Sequence, residues 1–277
     1  MGLYVASLNS GSNGNCYYIG NEQEAVLIDA GISCRETEKR MRRLNLPIEK
    51  VKAIFISHEH ADHIKGLQTI SDKYQLPVYI TEKTLFASGI ILQQNLVYNF
   101  KKNETICIGG LMITAFPKFH DAEDPHSFTI SNEKVKIGVF TDIGKACKDV
   151  IKHFKLCHAV FLESNYDEHM LINGGYPIHL QNRISNGNGH LSNVQALELF
   201  RAHRSQFMSH LFLSHLSHNN NSPQIVTELF SKYMAKTNII IASREKESAV
   251  YFINKGDNVS RKETIINKEK PVQLSMF

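Results

Sequence analysis

The residues most able to bind a metal ion follow an apolar run, VKAIFIS at 51–57. They are His58, His60, Asp62 and His63, four potential ligands within six residues. Imidazole and carboxylate side chains suit zinc, manganese or iron, and a tight strand-to-helix turn can aim all four at one point. The spacing therefore predicts a metal site. The alternative is a polar turn that is rich in histidine by chance.

Three further potential ligands each follow a short apolar segment. His120 comes after LMITAF, Asp142 after VKIGVF and His215 after LFLS. These segments are typical of strands, so each ligand would lie at the carboxyl end of a strand. Binding sites in open α/β sheets assemble at that edge. We therefore expect the three residues to join the first four in one site.

The segment at 58–63 resembles the HxHxDH signature of the metallo-β-lactamase superfamily and matches it in full. The resemblance implies an α/β fold, an αβ/βα four-layer sandwich of two mixed sheets with helices outside. It also implies two divalent metal ions (Zn, Mn or Fe), one held by His58, His60 and His120 and the other by Asp62, His63 and His215. Asp142 would bridge the two metals. Asp29, in LIDAG, would support the metal loop without being a ligand.

Two metals of this kind can activate a shared water and neutralise the oxygens of a scissile group. The ligand set therefore favours hydrolysis, with Asp62 and Asp142 serving catalysis as well as metal binding. A single-metal redox site is the alternative use of the fold.

Further segments resemble the YycJ/WalJ-type branch of this superfamily over residues 3–253. They are LESNYDEHML (162–171), GGYPIHLQNRIS (174–185), GHLSN (189–193) and HLSHNNN (215–221). The branch implies a phosphodiesterase or nuclease, namely a DNA exonuclease that works from 5′ to 3′. In such an enzyme a metal-bridging hydroxide would attack phosphorus.

His190 is the histidine that we expect beside the scissile phosphate. The branch is similar in layout to ribonuclease Z and PhnP-type phosphodiesterases, whose Gly-His-Ser-Thr element supplies such a histidine. Here Leu191 separates His190 from Ser192, so the element is matched incompletely. An imidazolium can stabilise charge on a phosphate or protonate a leaving oxygen, and Glu163 would orient it. In the alternative, His190 and Ser192 only begin a helix.

The composition limits the classes of function. Of 277 residues, 42% are hydrophobic and 21% are charged, which is typical of a globular chain and excludes disordered and fibrous proteins. No apolar run reaches the ~18 residues of a membrane span, so we expect a cytoplasmic protein with no membrane contact. The five cysteines form no CxxC pair, which argues against a disulfide scaffold. The net charge of +4 permits a polyanionic substrate without requiring one.

Strands and helices are predicted along most of the chain. Runs of β-branched and aromatic residues predict strands at 3–8, 15–20, 25–31, 51–57, 77–80, 111–116, 135–140, 159–164, 211–214 and 238–243. Helical periodicity predicts helices at 33–45, 63–74, 82–95, 192–203 and 222–235, with Ser192 as a cap. These patterns predict a folded domain at 1–254, which the resemblance identifies as a metallo-β-lactamase-fold hydrolase domain, and a flexible tail at 255–277.

The last five residues resemble the bacterial sliding-clamp-binding peptide, a Gln-Leu-polar-Leu-Phe motif in which Met276 replaces a leucine. Leu274, Met276 and Phe277 would insert into a pocket while Gln273 hydrogen-bonds beside it. This interpretation makes the clamp a partner and DNA the substrate. In the alternative, the terminus folds back onto the domain's own surface.

Two other functions stay open at the level of sequence. The first is hydrolysis of a small phosphodiester or another ester, which a closed, narrow pocket would favour over an open basic groove. The second is a regulatory, clamp-tethered module with a non-catalytic metal site. Because all the expected ligand positions are filled, the sequence favours an enzyme.

Overall fold

The computed structural model describes residues 2–256 of the chain, so the predicted clamp peptide at 273–277 lies outside the described part. The strands, in chain order, are β1 Leu3–Asn9, β2 Cys16–Gly20, β3 Ala25–Ile28, β4 Val51–Phe55, β5 Val78–Tyr79, β6 Val97–Tyr98, β7 Thr105–Ile108, β8 Leu111–Pro117, β9 His126–Ser131, β10 Lys136–Phe140, β11 Ala159–Glu163, β12 His210–Ser214, β13 Asn238–Ile241 and β14 Tyr251–Ile253. The α-helices are α1 Cys34–Arg43, α2 Ala61–Ile64, α3 Leu67–Tyr74, α4 Glu82–Ser88, α5 Lys148–Phe154, α6 Glu168–Asn173, α7 Ile178–Ser185, α8 Asn193–His203 and α9 Pro223–Ser231.

The strands form two seven-stranded sheets. The first has the order β14-β1-β2-β3-β4-β5-β6, and the second has the order β13-β12-β11-β10-β9-β8-β7. Both sheets are mixed, since β3 to β6 and β10 to β13 run parallel to their neighbours while the other pairs are antiparallel. The carboxyl ends of the parallel strands of each sheet therefore lie along one edge.

The two sheets bury a shared core because side chains alternate across each strand. In β2, Tyr17 and Ile19 enter the core between the sheets, while Cys16 and Tyr18 enter the core on the helix side. Phe161 of β11 meets Tyr17 from the opposite sheet, with the ring centroids 4.9 Å apart. Burying one such side chain fully contributes about 1.5–3 kcal/mol.

Helices cover the outer face of each sheet. Met41 of α1 and Ile70 of α3 pack on the first sheet, and Phe154, Phe200 and Phe230 of α5, α8 and α9 pack on the second. The layers are thus helix, sheet, sheet and helix. The predicted αβ/βα sandwich is confirmed.

The predicted cap at Ser192 is also confirmed. Its hydroxyl accepts a hydrogen bond from the backbone N–H of Gln195 at 3.2 Å, and the Gln195 side-chain oxygen accepts one from the Ser192 N–H at 2.9 Å. This reciprocal pair satisfies two N–H groups at the start of α8. The cap fixes the chain that leads from His190 into the helix.

Several observed helices differ from the predicted ones, and the helix predicted at 222–235 ends four residues early, at Ser231. The helix predicted at 63–74 is interrupted at Gly66, whose position leaves no room for a Cβ atom beside the Ile32 carbonyl. The helix predicted at 82–95 ends at Ser88, because Gly89 takes a left-handed backbone with φ 62°. Within residues 2–256, no helix combines the length and the apolar character that crossing a membrane requires.

Candidate metal centre

The segment His58–His63 lies at the carboxyl end of β4 and leads into α2. His58 and His63 are fully buried, whereas His60 and Asp62 are partly exposed. The strand-to-helix turn thus sets two rings into the protein and leaves two ligands at the edge of the sheet. The other predicted ligands come from the ends of β8, β10 and β12, which share this edge.

His58, His60 and His120 form the first ligand group. The distance from His58 Nε2 to His60 Nδ1 is 3.1 Å, and that from His120 Nε2 to His60 Nδ1 is 3.3 Å. The opposite nitrogens are held by acceptors, since His58 Nδ1 donates to Ser57 Oγ and His120 Nδ1 donates to the Gly189 carbonyl, both at 2.9 Å. These bonds set the tautomer of each ring, so that the lone pairs of the inner nitrogens face one point.

Asp62, His63, Asp142 and His215 form the second group, with ligand atoms that all lie within 4.8 Å of one another. His63 Nε2 is 3.1 Å from Asp142 Oδ2, and His215 Nε2 is 3.5 Å from Asp62 Oδ2. Asn15, from the loop after β1, donates to Asp62 Oδ2 at 3.2 Å. The second group is therefore richer in carboxylates than the first.

Asp142 lies between the two groups. One carboxylate oxygen, Oδ2, approaches His63, while the other, Oδ1, is 3.9 Å from His120 Nε2. Only 2% of Asp142 is exposed. This position is the one that a residue shared by two cations would need.

Asp29 acts on the second group through His63. Its carboxylate accepts hydrogen bonds from the Ser57 backbone N–H at 2.8 Å, the Ser57 hydroxyl at 2.9 Å and His63 Nδ1 at 2.7 Å. His63 Nε2 is thereby left facing the other ligands. Asp29 belongs to neither ligand group, as expected for a supporting residue.

The backbone at the strand ends is turned to aim these side chains. Asp29, Asp142 and His215 have φ values of 61°, 53° and 55°, in the left-handed region. A non-glycine residue there costs on the order of 1–3 kcal/mol and is concentrated at functional sites. The positive φ values mark the same edge as the ligand groups.

The two groups differ in electrostatics. Burial lowers the pKa of His58 well below its usual value and that of His120 to about 4, so both rings are neutral. Burial acts in the same direction on His63, but the carboxylates of Asp142 and Asp29 outweigh it and raise the pKa to about 10. The first group therefore consists of neutral rings with free lone pairs, whereas the second surrounds its histidines with carboxylates that favour a positive charge, either a proton or a metal ion.

The residues fit a divalent metal ion. Within the described part of the chain, Asp142 Oδ2 and His215 Nε2 are buried and make no well-aligned hydrogen bond, although His63 Nε2 lies 3.1 Å from the first and Asp62 Oδ2 lies 3.5 Å from the second. An unpartnered buried polar atom is costly, and a cation would satisfy both atoms. Nitrogen and carboxylate ligands in this density are those that zinc, manganese and iron accept.

Comparison with known proteins gives the family. The model of the metallo-β-lactamase superfamily matches residues 10–173, more than half of the chain. Exodeoxyribonuclease YycJ of Bacillus anthracis is 34% identical over 230 residues, which cover 81% of this chain and 86% of that protein. The chain belongs to the metallo-β-lactamase superfamily, in its YycJ/WalJ-type branch. The predicted family is confirmed, and this superfamily member is a metal-dependent hydrolase.

Two other comparisons agree with the assignment. Exodeoxyribonuclease WalJ of Streptococcus pneumoniae is 27% identical over 246 residues, which cover 86% of this chain and 91% of that protein. The metallo-β-lactamase fold protein YhfI of Bacillus subtilis superposes with a TM-score of 0.71 at 16% identity, covering 90% of this chain and 99% of that one. The structural likeness concerns the fold alone.

In this metallo-β-lactamase fold, His190 and Glu163 lie beside the second ligand group. His190 Nδ1 donates to Glu163 Oε1 at 2.7 Å, and His215 Nδ1 donates to the same oxygen at 3.0 Å. Glu163 Oε2 accepts from the backbone N–H groups of Ile143 and Leu191. The structure thus brings both predicted residues to the metal centre, with Glu163 fully buried and His190 partly exposed.

The ligand groups open into a cavity of about 240 Å³. Its lining also includes His190, Tyr176, Leu180, Arg183 and Ile184. The last four belong to α7 or the loop before it, within the segment 174–185 that resembles the branch, but the resemblance assigns none of them to the site. Arg183 could contact a nucleic-acid backbone, yet a lone arginine more often marks a solvated face, so the sequence alone does not place it in the cavity.

Lys118 and Asn15 are two further residues at the centre that the sequence did not reveal. Lys118 is 6% exposed, and its ammonium donates to the Thr141 carbonyl at 2.8 Å. Burial lowers the pKa of Lys118, although the nearby carboxylates, Asp142 foremost, oppose that shift. A lone lysine and an asparagine in a glycine-rich turn carry no sequence signal for such roles.

Proposed function

We propose that this hydrolase is a binuclear, metal-dependent phosphodiesterase acting on nucleic acid, a DNA exonuclease that works from 5′ to 3′. Two similar proteins are named exodeoxyribonucleases, and they align with most of this chain. The direction of cleavage rests on the resemblance to the branch alone.

The residues assigned to the cations are those of the two ligand groups. His58, His60 and His120 would hold one ion, and Asp62, His63 and His215 the other, with Asp142 shared. When bound, the two ions would activate a water as the nucleophile and neutralise charge on the phosphate. Zinc, manganese and iron all suit this set.

The proposal rests on one observation. His190 lines the cavity and is hydrogen-bonded to the same carboxylate, Glu163, as the predicted ligand His215. Glu163 Oε1 accepts hydrogen bonds from both His190 and His215. With Nδ1 committed to Glu163, Nε2 of His190 is the nitrogen left to meet a substrate. A phosphate at the ligand groups would therefore have a proton donor beside its leaving oxygen.

Glu163 is suited to hold that histidine. Burial would raise the pKa of Glu163, but the His190 and His215 imidazoles outweigh it and lower the pKa to about 2. The carboxylate therefore stays anionic at neutral pH and accepts the hydrogen bond from His190 Nδ1 at 2.7 Å. Glu163 would position His190 without touching the substrate.

The test is a gel assay on end-labelled single-stranded DNA, duplex DNA and RNA with Mn²⁺ or Zn²⁺. We expect metal-dependent shortening of DNA that Asp142→Asn abolishes. His190→Ala should be slower by about 10²–10⁴-fold while its bound metal, measured by mass spectrometry, is retained. His203→Ala, on α8 and outside the cavity lining, is the matched control. Equal rates for His190→Ala and the control would refute the assigned role.

A second function is favoured by the size of the cavity. At about 240 Å³ it is smaller than the ~300–1,000 Å³ of common ligand pockets, which suits a small phosphodiester. Hydrolysis of bis(p-nitrophenyl) phosphate without cleavage of any polymer would favour this alternative. If neither the small ester nor any polymer is hydrolysed while two metals are verified as bound, the result would favour the regulatory, clamp-tethered module.

The sliding clamp stays a prediction from the sequence. Gln273, Leu274, Met276 and Phe277 lie outside the described residues. Titration of a bacterial sliding clamp with the full chain and with a chain lacking residues 273–277 tests it. Unchanged binding after removal of the peptide would overturn the clamp as a partner.

A further inference from the structure

The cavity has two unlike walls. One wall consists of the charged and polar residues of the ligand groups, together with His190. The part of the lining that α7 and the loop before it contribute includes the apolar side chains of Leu180 and Ile184 and the ring of Tyr176, beside Arg183. Leu180 and Ile184 are four residues apart on α7 and therefore share one face of the helix.

This part of the lining is held in place by hydrogen bonds. The Tyr176 hydroxyl accepts from Asn219 at 3.0 Å, and the Tyr176 carbonyl accepts from the Gln181 side chain at 2.9 Å. The Ile184 carbonyl accepts from the backbone N–H of His190 at 2.8 Å. The C-terminal end of α7 is thus hydrogen-bonded directly to His190, the histidine assigned to the leaving oxygen.

Folding does not require this face of α7. No residue of α7 is buried, and Leu180 and Ile184 are only half-buried. An apolar helix face normally packs into a core, but this one faces a cavity whose other side is charged. A fitting ligand has an anionic group at one end and a flat apolar group at the other.

A single nucleotide has that chemistry. Its phosphate matches the ligand groups, and its base matches an aromatic and aliphatic wall, since stacking on aromatic side chains accepts any base. Tyr176, Leu180 and Ile184 offer apolar surface for a single base, and the cavity of about 240 Å³ is smaller than the ~300–1,000 Å³ of common ligand pockets. Duplex DNA would have to give up the pairing of its terminal nucleotide before it entered.

We propose that Tyr176, Leu180 and Ile184 form a base-binding wall, which selects an unpaired terminal nucleotide as the substrate unit. This inference rests on the proposed phosphodiesterase function and adds the substrate class. The wall supplies affinity for the base, while the ligand groups and His190 act on the phosphate.

Binding by the metal-loaded protein tests the wall without relying on turnover. Calorimetric titration compares thymidine 5′-monophosphate with 2-deoxyribose 5-phosphate, which has the same phosphate and no base. We expect the nucleotide to bind roughly tenfold more tightly, as base stacking contributes elsewhere. Tyr176→Ala should remove most of that difference. Ile178→Ala, on the same helix but 68% exposed and outside the cavity lining, should keep it.

Kinetics provide the second measurement. The 3′ and 5′ p-nitrophenyl phosphate esters of thymidine are compared with methyl p-nitrophenyl phosphate, so that the result does not depend on polarity. The wild-type preference for the thymidine esters should fall about tenfold in Tyr176→Ala and stay unchanged in Ile178→Ala. A duplex with unpaired terminal nucleotides should also be cut faster than a blunt duplex.

The outcomes separate the two proposals. Equal binding of the two monophosphates, or equal losses in Tyr176→Ala and Ile178→Ala, would overturn the base-binding wall. No hydrolysis of any ester, with the difference in binding intact, would refute the phosphodiesterase and support the wall.

Discussion

The two walls of the cavity are built in opposite ways. On the metal side, Asp29, Glu163 and Asp142 are almost completely buried, and the first two each accept several hydrogen bonds. On the opposite side, α7 buries none of its residues, and the exposed ion pair Arg183–Asp121 fastens it to the ligand loop.

This difference indicates that the metal side is responsible for the chemical step and that α7 is responsible for substrate selection. The ligand side chains need fixed positions, so they lie at strand ends whose backbones are set by the sheets. The α7 wall contributes little to the core, so its sequence can change at small cost in stability. We therefore expect substitutions on the metal side to change folding or metal binding, and those on α7 to change substrate preference.

The largest difference in the free energy of unfolding is expected when a leucine is replaced by alanine in each of the two regions. Leu213→Ala removes a fully buried side chain of β12 and should lower the free energy of unfolding by about 2–5 kcal/mol. Leu180→Ala, on α7, should lower it by less than about 1 kcal/mol. Urea denaturation measures both. Similar losses of unfolding free energy in the two variants would show that α7 is part of the core. The distinction between the two regions would then not hold.

Asp29→Asn should weaken metal binding by the second group about 10–100-fold. The new amide NH₂ would face the N–H at His63 Nδ1, so the ring would move its proton to Nε2 and block the lone pair meant for the metal. Competition with a chelator measures the affinity. Asp149→Asn, on α5 and outside both ligand groups, is the control. Equal affinities in the two variants would contradict the supporting role of Asp29.

Lys118→Met should lower the free energy of unfolding by about 1–3 kcal/mol, because the Thr141 carbonyl would lose its buried donor. Lys145→Met makes the same change at an exposed lysine and should have little effect. Thermal or urea unfolding of the metal-loaded protein distinguishes them. A stable Lys118→Met protein would mean that this bond does not hold the Asp142 loop.

The smallest effect is expected at the ion pair that fastens α7. Arg183 and Asp121 side chains are 60% and 29% exposed, and pairs of this kind contribute roughly 0–1 kcal/mol. Arg183→Ala should therefore leave the unfolding midpoint nearly unchanged while it alters KM for DNA. A large loss of stability would place α7 with the rigid side of the molecule.

The strands that were predicted from sequence share strong local signals. All ten predicted apolar runs contain strands, from β1 to β13, because continuous β-branched residues indicate burial on both faces. Strands β6, β7, β9 and β14 were missed. β9 carries His, Ser and Thr among its apolar residues, and its burial comes from neighbouring strands rather than from its own composition.

The helices α5, α6 and α7 were missed for a similar reason. They are short, between 6 and 8 residues, and α7 shows no buried face that periodicity could report. The segment 174–185 resembles the branch, but no local pattern places its residues in the cavity. Its residues become informative only when the fold sets them opposite the ligands.

The sequence alone determined the family, the sandwich fold and which residues could bind metal, because histidine and aspartate types at fixed spacing follow directly from the chain. Only the tertiary structure decided how those side chains are aimed. Ser57, Gly189, Asp29 and Glu163 set the imidazole tautomers across separations of up to 69 residues in sequence. Hydrogen bonds and packing between distant segments depend on how the sheets fold together, and local patterns carry no record of them.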